Sequence, residues 1–151
     1  MDYSQITADL FVGTTPLPED YDTLRALGVT LVINMRFERR PYPDSHNPPL
    51  PVLWLHTFDS PFLPIPMRAL VKGVRAAREA IAAGGNVYVH CAAGVHRSVA
   101  LAACVLIAQG YSPEDAIALI KQQRPAADPD IWYIRHRILR FAAKWQNWTD
   151  H

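Results

Sequence analysis

Two short runs, Val29-Thr30-Leu31-Val32-Ile33-Asn34 and Asn86-Val87-Tyr88-Val89-His90, are apolar through most of their length. Strands of this kind are buried on both faces, which requires helices packed on either side of a sheet. Between them, Met67 to Ala83 places Leu70, Val71, Val74, Ala77 and Ile81 at helical spacing and ends at Gly84-Gly85. This order of elements predicts a single α/β domain with a central, mostly parallel sheet flanked by helices.

The other elements fit that frame. Leu10 to Gly13 reads as a short strand with a glycine stop, and Pro18-Glu19-Asp20 through Leu27-Gly28 as a helix with an acidic first turn. Ser98 to Gln109 is helical with Gly110 behind it. Ser112-Pro113-Glu114-Asp115 opens a further helix to about Arg124. Asp128-Pro129-Asp130 repeats that opening. The last helix has Ile131, Ile134, Ile138, Phe141 and Trp145 on one stripe, with Arg135, Arg137, Arg140 and Lys144 read as a solvated face. Eight of the thirteen prolines fall from Pro41 to Pro66, so that stretch is an ordered loop around one short strand, Val52 to His56. It is either a rigid surface connection or a border of the functional site.

At 151 residues, half of them apolar, the chain is expected to be one domain over residues 1–151. Fifteen Lys and Arg against fourteen Asp and Glu give no broad field for nucleic acid, so none is expected as a partner. Cys91 and Cys104 are the only cysteines and lack the spacing of a disulfide framework or a zinc site. The N-terminus lacks the basic and apolar segments of a secretory signal, and the longest apolar run, Val99 to Ala108, is about half a membrane span. A cytoplasmic monomer without a membrane anchor is the expectation.

The chemistry concentrates in His90-Cys91-Ala92-Ala93-Gly94-Val95-His96-Arg97-Ser98, where a thiol ends a strand and an arginine starts a helix. A loop of this length can curl so that its backbone N–H groups converge on one anion, aided by the helix N-terminus. Ala92, Ala93, Gly94, Val95, His96 and Arg97 are therefore candidate phosphate-binding positions. Gly94 supplies a backbone angle closed to other residues, and the alanines leave room for the anion. The same field favours a thiolate at Cys91. Arg97 can hold two phosphate oxygens in a planar fork, and Ser98 can donate its hydroxyl to the sulfur as it leaves a phosphocysteine. His90 would shape the loop by hydrogen bonding.

This segment resembles the H-C-x5-R-[ST] signature of the protein tyrosine phosphatase superfamily, and the chain is most similar to its compact dual-specificity branch. The likeness runs from Ile6-to-Gly13 through the Gly28-to-Asn34 strand and the signature to the helices ending near Phe141. It implies a cysteine-dependent phosphomonoester hydrolase with no cofactor or metal, acting on a phosphorylated protein or a small phosphomonoester. It also implies a general acid upstream of the cysteine. Asp59, in Phe58-Asp59-Ser60-Pro61, sits 32 residues before Cys91 and matches that placement. Asp44 is its rival. The alternatives are a phospholipid or phosphoinositide phosphatase, weakened by the absence of lysine at positions 92, 93 and 95, and a non-catalytic module that recognises phosphate.

Other residues carry weaker signals. His96 touches substrate or has no role, and Cys104 reads as buried filler. Arg36, Arg39 and Arg40 either guide a phosphorylated ligand or are merely solvated. Tyr42, Trp54 and Phe62 are pocket walls or core.

Overall fold

The computed structural model describes residues 1–149, with side chains through residue 147, so the last two residues of the expected domain lie outside it. Five strands form one sheet in the order β1-β2-β5-β3-β4, where β1 is Tyr3–Thr7, β2 Leu10–Gly13, β3 Val29–Asn34, β4 Val52–Trp54 and β5 Asn86–His90. β1 runs antiparallel to β2, and every other neighbouring pair is parallel. The helices are α1 (Tyr21–Ala26), α2 (Met67–Ala82), α3 (Arg97–Ala108), α4 (Pro113–Gln123) and α5 (Trp132–Thr149). The expected α/β domain with a mostly parallel sheet is what the chain forms.

Alternation along the strands explains why both faces are apolar. Val12, Ile33, Val87 and Val89 point into the larger core with α2, α3, α4 and α5. Phe11, Val32 and Tyr88 point the other way, into a smaller core capped by Tyr21 and Leu24 of α1. α3 lies at the centre of the larger core, with every residue from Arg97 to Ile107 buried. An added Cβ at Gly73 would come within 2.8 Å of Leu101 Cδ1, so this glycine allows α2 to pack closely on α3.

The expected boundaries hold for β3 and β5, and the departures have local causes. β1 was not anticipated, because only Ile6 of its five residues is buried and the alternation that marks a strand is faint. β4 ends at Trp54 rather than His56. Leu55 N–H still donates to Asn34 O, but Thr57 N–H turns back to Leu55 O and its hydroxyl reaches Met35 O. α3 begins at Arg97, one residue early. Gly110 and the Ser112 cap separate α3 from α4 as expected, with the Ser112 hydroxyl accepting from Asp115 N–H at 3.1 Å.

The parallel strands bring the segments after β3, β4 and β5 to one end of the sheet, the usual ligand-binding end of such folds. Arg124, just beyond α4, fastens the last of these segments. Buried to 2 % exposure, it donates from Nε to Gly94 O at 2.8 Å and from Nη2 to Ala93 O at 3.0 Å. Nη1 donates to Ser4 Oγ of β1 at 3.0 Å. Arg124→Leu would leave the buried Gly94 carbonyl without its donor and take one from the more exposed Ala93 carbonyl, which costs on the order of 2 kcal/mol. Urea unfolding should show that loss, and a variant as stable as the parent would remove Arg124 from this role.

Candidate active site

β5 delivers His90, and the chain then curls through residues 91–96 into α3. Gly94 sits at φ +67°, and a Cβ there would meet Gly13 O at 2.9 Å, so both its conformation and its neighbours call for glycine. Cys91 is 4 % exposed, with Sγ 3.2 Å from Ser98 Oγ. Burial pushes the thiol up, but the Ser98 hydroxyl, the backbone N–H groups of Ser98 and Gly94, and the charge of Arg97 outweigh it, leaving the thiol below its ordinary value. His90 lies 3.4 Å from Cys91 O through Nδ1, and burial pushes it down to about 4, so it is a neutral brace. The Thr15 hydroxyl donates to the same Cys91 carbonyl at 3.1 Å.

Arg97 is 4 % exposed and engaged along one end of its guanidinium. Nη1 donates to Thr57 O at 3.0 Å, to Met35 O at 3.3 Å and to Glu38 Oε1 at 2.8 Å, while Nη2 donates to Glu38 Oε2 at 3.0 Å. Nε is buried without a hydrogen-bond partner among the described residues. The edge formed by Nε–H and the second Nη2–H is thus the part of the fork available to an oxyanion. The Arg97 hydrogen bonds pull Glu38 down to about 2, so it is a carboxylate at any working pH. Glu38 is held in place by its own turn: Arg36 N–H donates to Asn34 Oδ1 at 2.7 Å and Asn34 Nδ2 donates to Arg39 O at 3.0 Å.

The expected cluster of three arginines divides. Arg36 joins the site, with Nε to Glu38 Oε2 at 3.1 Å and Nη1 to Thr15 Oγ1 at 2.9 Å. Arg39 instead lies over the Tyr42 ring at 3.7 Å.

Asp59 reaches the cradle through His96. Its Oδ2 lies 2.9 Å from His96 Nδ1, and its Oδ1 accepts from Tyr133 Oη at 2.6 Å. Partial burial works to raise the carboxyl, but the bonds from Tyr133 and His96 and the charges of His96 and Arg97 prevail, leaving it below its ordinary value. On its far side His96 Nε2 stands 3.7 Å from Asp128 Oδ2. Asp44 is no rival. It is bound to Arg25, His46 and Leu50 N–H within the proline-rich loop, with the Arg25 pair holding it well below the carboxylate range.

The structure therefore brings Cys91, Ser98, Arg97, His96 and Asp59 together with the loop positions Ala92, Ala93, Gly94 and Val95. The proline-rich stretch borders this site, because it carries Thr57 and Asp59. Trp54 is half-buried, donating from Nε1 to Arg36 O at 2.6 Å, whereas Phe62 is 89 % exposed and belongs to neither wall nor core. Cys104 is fully buried, and burial pushes its thiol well up, as expected of filler.

Glu38, Tyr133 and Arg124 were not anticipated. Only Glu38 had a usable signal, since an acid just past β3 stands beside the end of β5, where a buried guanidinium needs neutralising. Among the described residues no group of three or more His, Cys, Asp or Glu side chains is arranged to hold a metal ion, and no helix is long and apolar enough to cross a membrane.

Comparison with known proteins agrees with this geometry. Residues 10–141 match the family described as dual specificity phosphatase, catalytic domain. Mouse dual specificity protein phosphatase 14 is 30 % identical over 137 residues, covering 89 % of this chain and 67 % of the relative. The crystal structure of human DUSP28 superposes with a TM-score of 0.85 at 24 % identity, covering 95 % of each chain. That of PTPMT1 in complex with PI(5)P gives 0.78 at 27 % identity, covering 94 % of this chain and 97 % of the other. The chain belongs to the dual specificity phosphatases, compact members of the protein tyrosine phosphatase superfamily, and is a phosphatase of that type.

Proposed function

We propose that the chain hydrolyses phosphomonoesters of phosphoproteins through a phosphocysteine at Cys91. The observation that carries this reading is the donor set around Cys91 Sγ: the Ser98 hydroxyl, the N–H groups of Gly94 and Ser98 and the unengaged edge of Arg97. In the first step Sγ attacks phosphorus and the ester P–O bond breaks. The Arg97 Nε–Nη2 edge follows the equatorial oxygens, and the Asp59 carboxyl gives its proton to the departing oxygen. In the second step the Asp59 carboxylate takes a proton from water, whose oxygen attacks phosphorus. The S–P bond breaks, and Ser98 donates its hydroxyl to the thiolate released. Glu38 keeps Arg97 aligned throughout.

A phosphoinositide phosphatase is the second reading, favoured by the likeness to PTPMT1, which was solved with PI(5)P. Ala92, Ala93 and Val95 offer no cation to a second phosphate group, which favours the first.

Cys91→Ser should abolish turnover of p-nitrophenyl phosphate while keeping vanadate binding, because Arg97 and the loop amides remain. Turnover by the purified serine variant would remove Cys91 as nucleophile. Asp59→Asn should cost roughly 10²- to 10⁴-fold on phosphotyrosine and alkyl phosphates and far less on activated aryl esters, which leave without a proton. Asp59 must be protonated to act, so its deprotonation sets the alkaline limb of kcat/KM. His96→Ala or Tyr133→Phe removes a bond that stabilises the carboxylate, which raises the Asp59 pKa and moves that limb to higher pH. Equal losses across leaving groups, or a limb that stays fixed in both variants, would transfer the acid role elsewhere.

A further inference from the structure

Eight of the fifteen Lys and Arg residues lie on α2 and α5, against one of the fourteen Asp and Glu residues, Glu79. In a chain of net charge +1, the positive charge is gathered on one flank. Arg68, Lys72 and Arg75 of α2 and Lys144 of α5 surround a groove floored by Met67 and Val71, and no carboxylate lines it. None of these four cations forms an ion pair among the described residues.

This groove connects with the candidate active site. A neighbouring depression lined by Trp54, His56 and Pro66 shares Arg68 and Lys72 with it. The His56 ring meets Trp54 edge to face at 4.5 Å and Phe37 at 5.7 Å, and Phe37 meets Phe58 at 4.7 Å. Phe37 and Phe58 are 50 % and 39 % exposed. Phe37 adjoins Glu38, which grips Arg97, and Phe58 adjoins Asp59. The aromatic shelf and the basic groove thus form one track from residues 91–97 to the flank of α2.

We propose that this track binds an extended segment of a phosphoprotein, with the phosphorylated residue at Cys91, apolar residues over Phe37, Phe58 and His56, and acidic residues in the groove. The proposal rests on the phosphatase reading of Cys91 and adds a site for the residues that flank the phosphorylated one. Arg68 to Arg75 spans about 10 Å at the helical rise, the reach of about three extended residues. A simple phosphate ester held in the loop would not extend that far. A bilayer fits less well, because the cations ring a concavity and the exposed positions of α2 carry no Trp, Tyr, Phe or Leu to enter an interface.

The test uses phosphotyrosine peptides that differ only in four flanking residues, all acidic or all neutral, placed either before or after the phosphotyrosine. Four exposed pairs of ordinary strength should make one acidic peptide about tenfold better in kcat/KM, through KM. About 0.5 M salt should erase that preference. The combined variant Arg68→Ala, Lys72→Ala, Arg75→Ala and Lys144→Ala should erase it too, with turnover of p-nitrophenyl phosphate unchanged. Equal rates for acidic and neutral peptides in both placements, or a preference that survives in the variant, would overturn the proposal. So would a variant that keeps the preference but loses binding to phosphatidylglycerol vesicles, which would assign the flank to a membrane. If the wild-type protein fails to turn over p-nitrophenyl phosphate, the Cys91 reading falls by itself. The track is then judged by anisotropy of the same peptides, fluorescently labelled: weaker acidic-peptide binding by the variant upholds it, and equal binding overturns it.

Discussion

Burying a guanidinium is costly unless its charge is balanced and most of its N–H groups are bonded, and much of this active end is arranged around meeting that demand for Arg97 while leaving its Nε edge open. Met35 O and the Glu38 carboxylate come from the segment after β3, Thr57 O from the segment after β4, and Arg97 itself from the start of α3 after β5. Three connections with little regular structure of their own are tied to one side chain. The sheet order makes this possible, since β5 stands beside β3 and β3 beside β4, so their carboxyl ends open onto the same space.

Two further groups of bonds distribute the load. Arg124 supports the 93–94 carbonyls from behind and links them to β1, while His96 and Tyr133 hold Asp59 against the front. Cys91 therefore sits between a fixed rear wall and an acid carried on a proline-rich segment. The prolines in positions 61, 64 and 66 limit how far that segment can move.

What could be read from the sequence was whatever depends on neighbours along the chain. β3 and β5 were recognisable from continuous apolar runs, α2 from its spacing, and the loop from the distance between Cys91 and Arg97. Residues whose meaning lies in distant partners could not be read in the same way. Arg124 is 30 residues from Gly94 and 120 from Ser4, and nothing local distinguishes it from a solvated arginine. Tyr133 was hidden beside the apolar stripe of α5, and Arg137, expected on a solvated face, is half-buried with Nε donating to Ile65 O at 3.0 Å. Asp59 stood ahead of Asp44 only on its distance from Cys91 and its matching neighbours, which say nothing of either one's partners. Arg25 took one into a structural pair, and His96 and Tyr133 drew the other to the cradle.

The burial of Cys104 bears on how the protein withstands oxidants. A thiol whose pKa is held down is more often a thiolate, the form that peroxide converts to a sulfenic acid, and one rescue is a second thiol nearby. Cys104 is the only other cysteine, and it lies seven residues into α3, about 10 Å along the helix axis from Arg97. A disulfide needs Cα atoms within about 7 Å, and Cys104 is fully buried in the core on α3. Among the protein's own thiols none is exposed to a sulfenic acid at Cys91, and an anion held on the loop would shield that sulfur from oxidants.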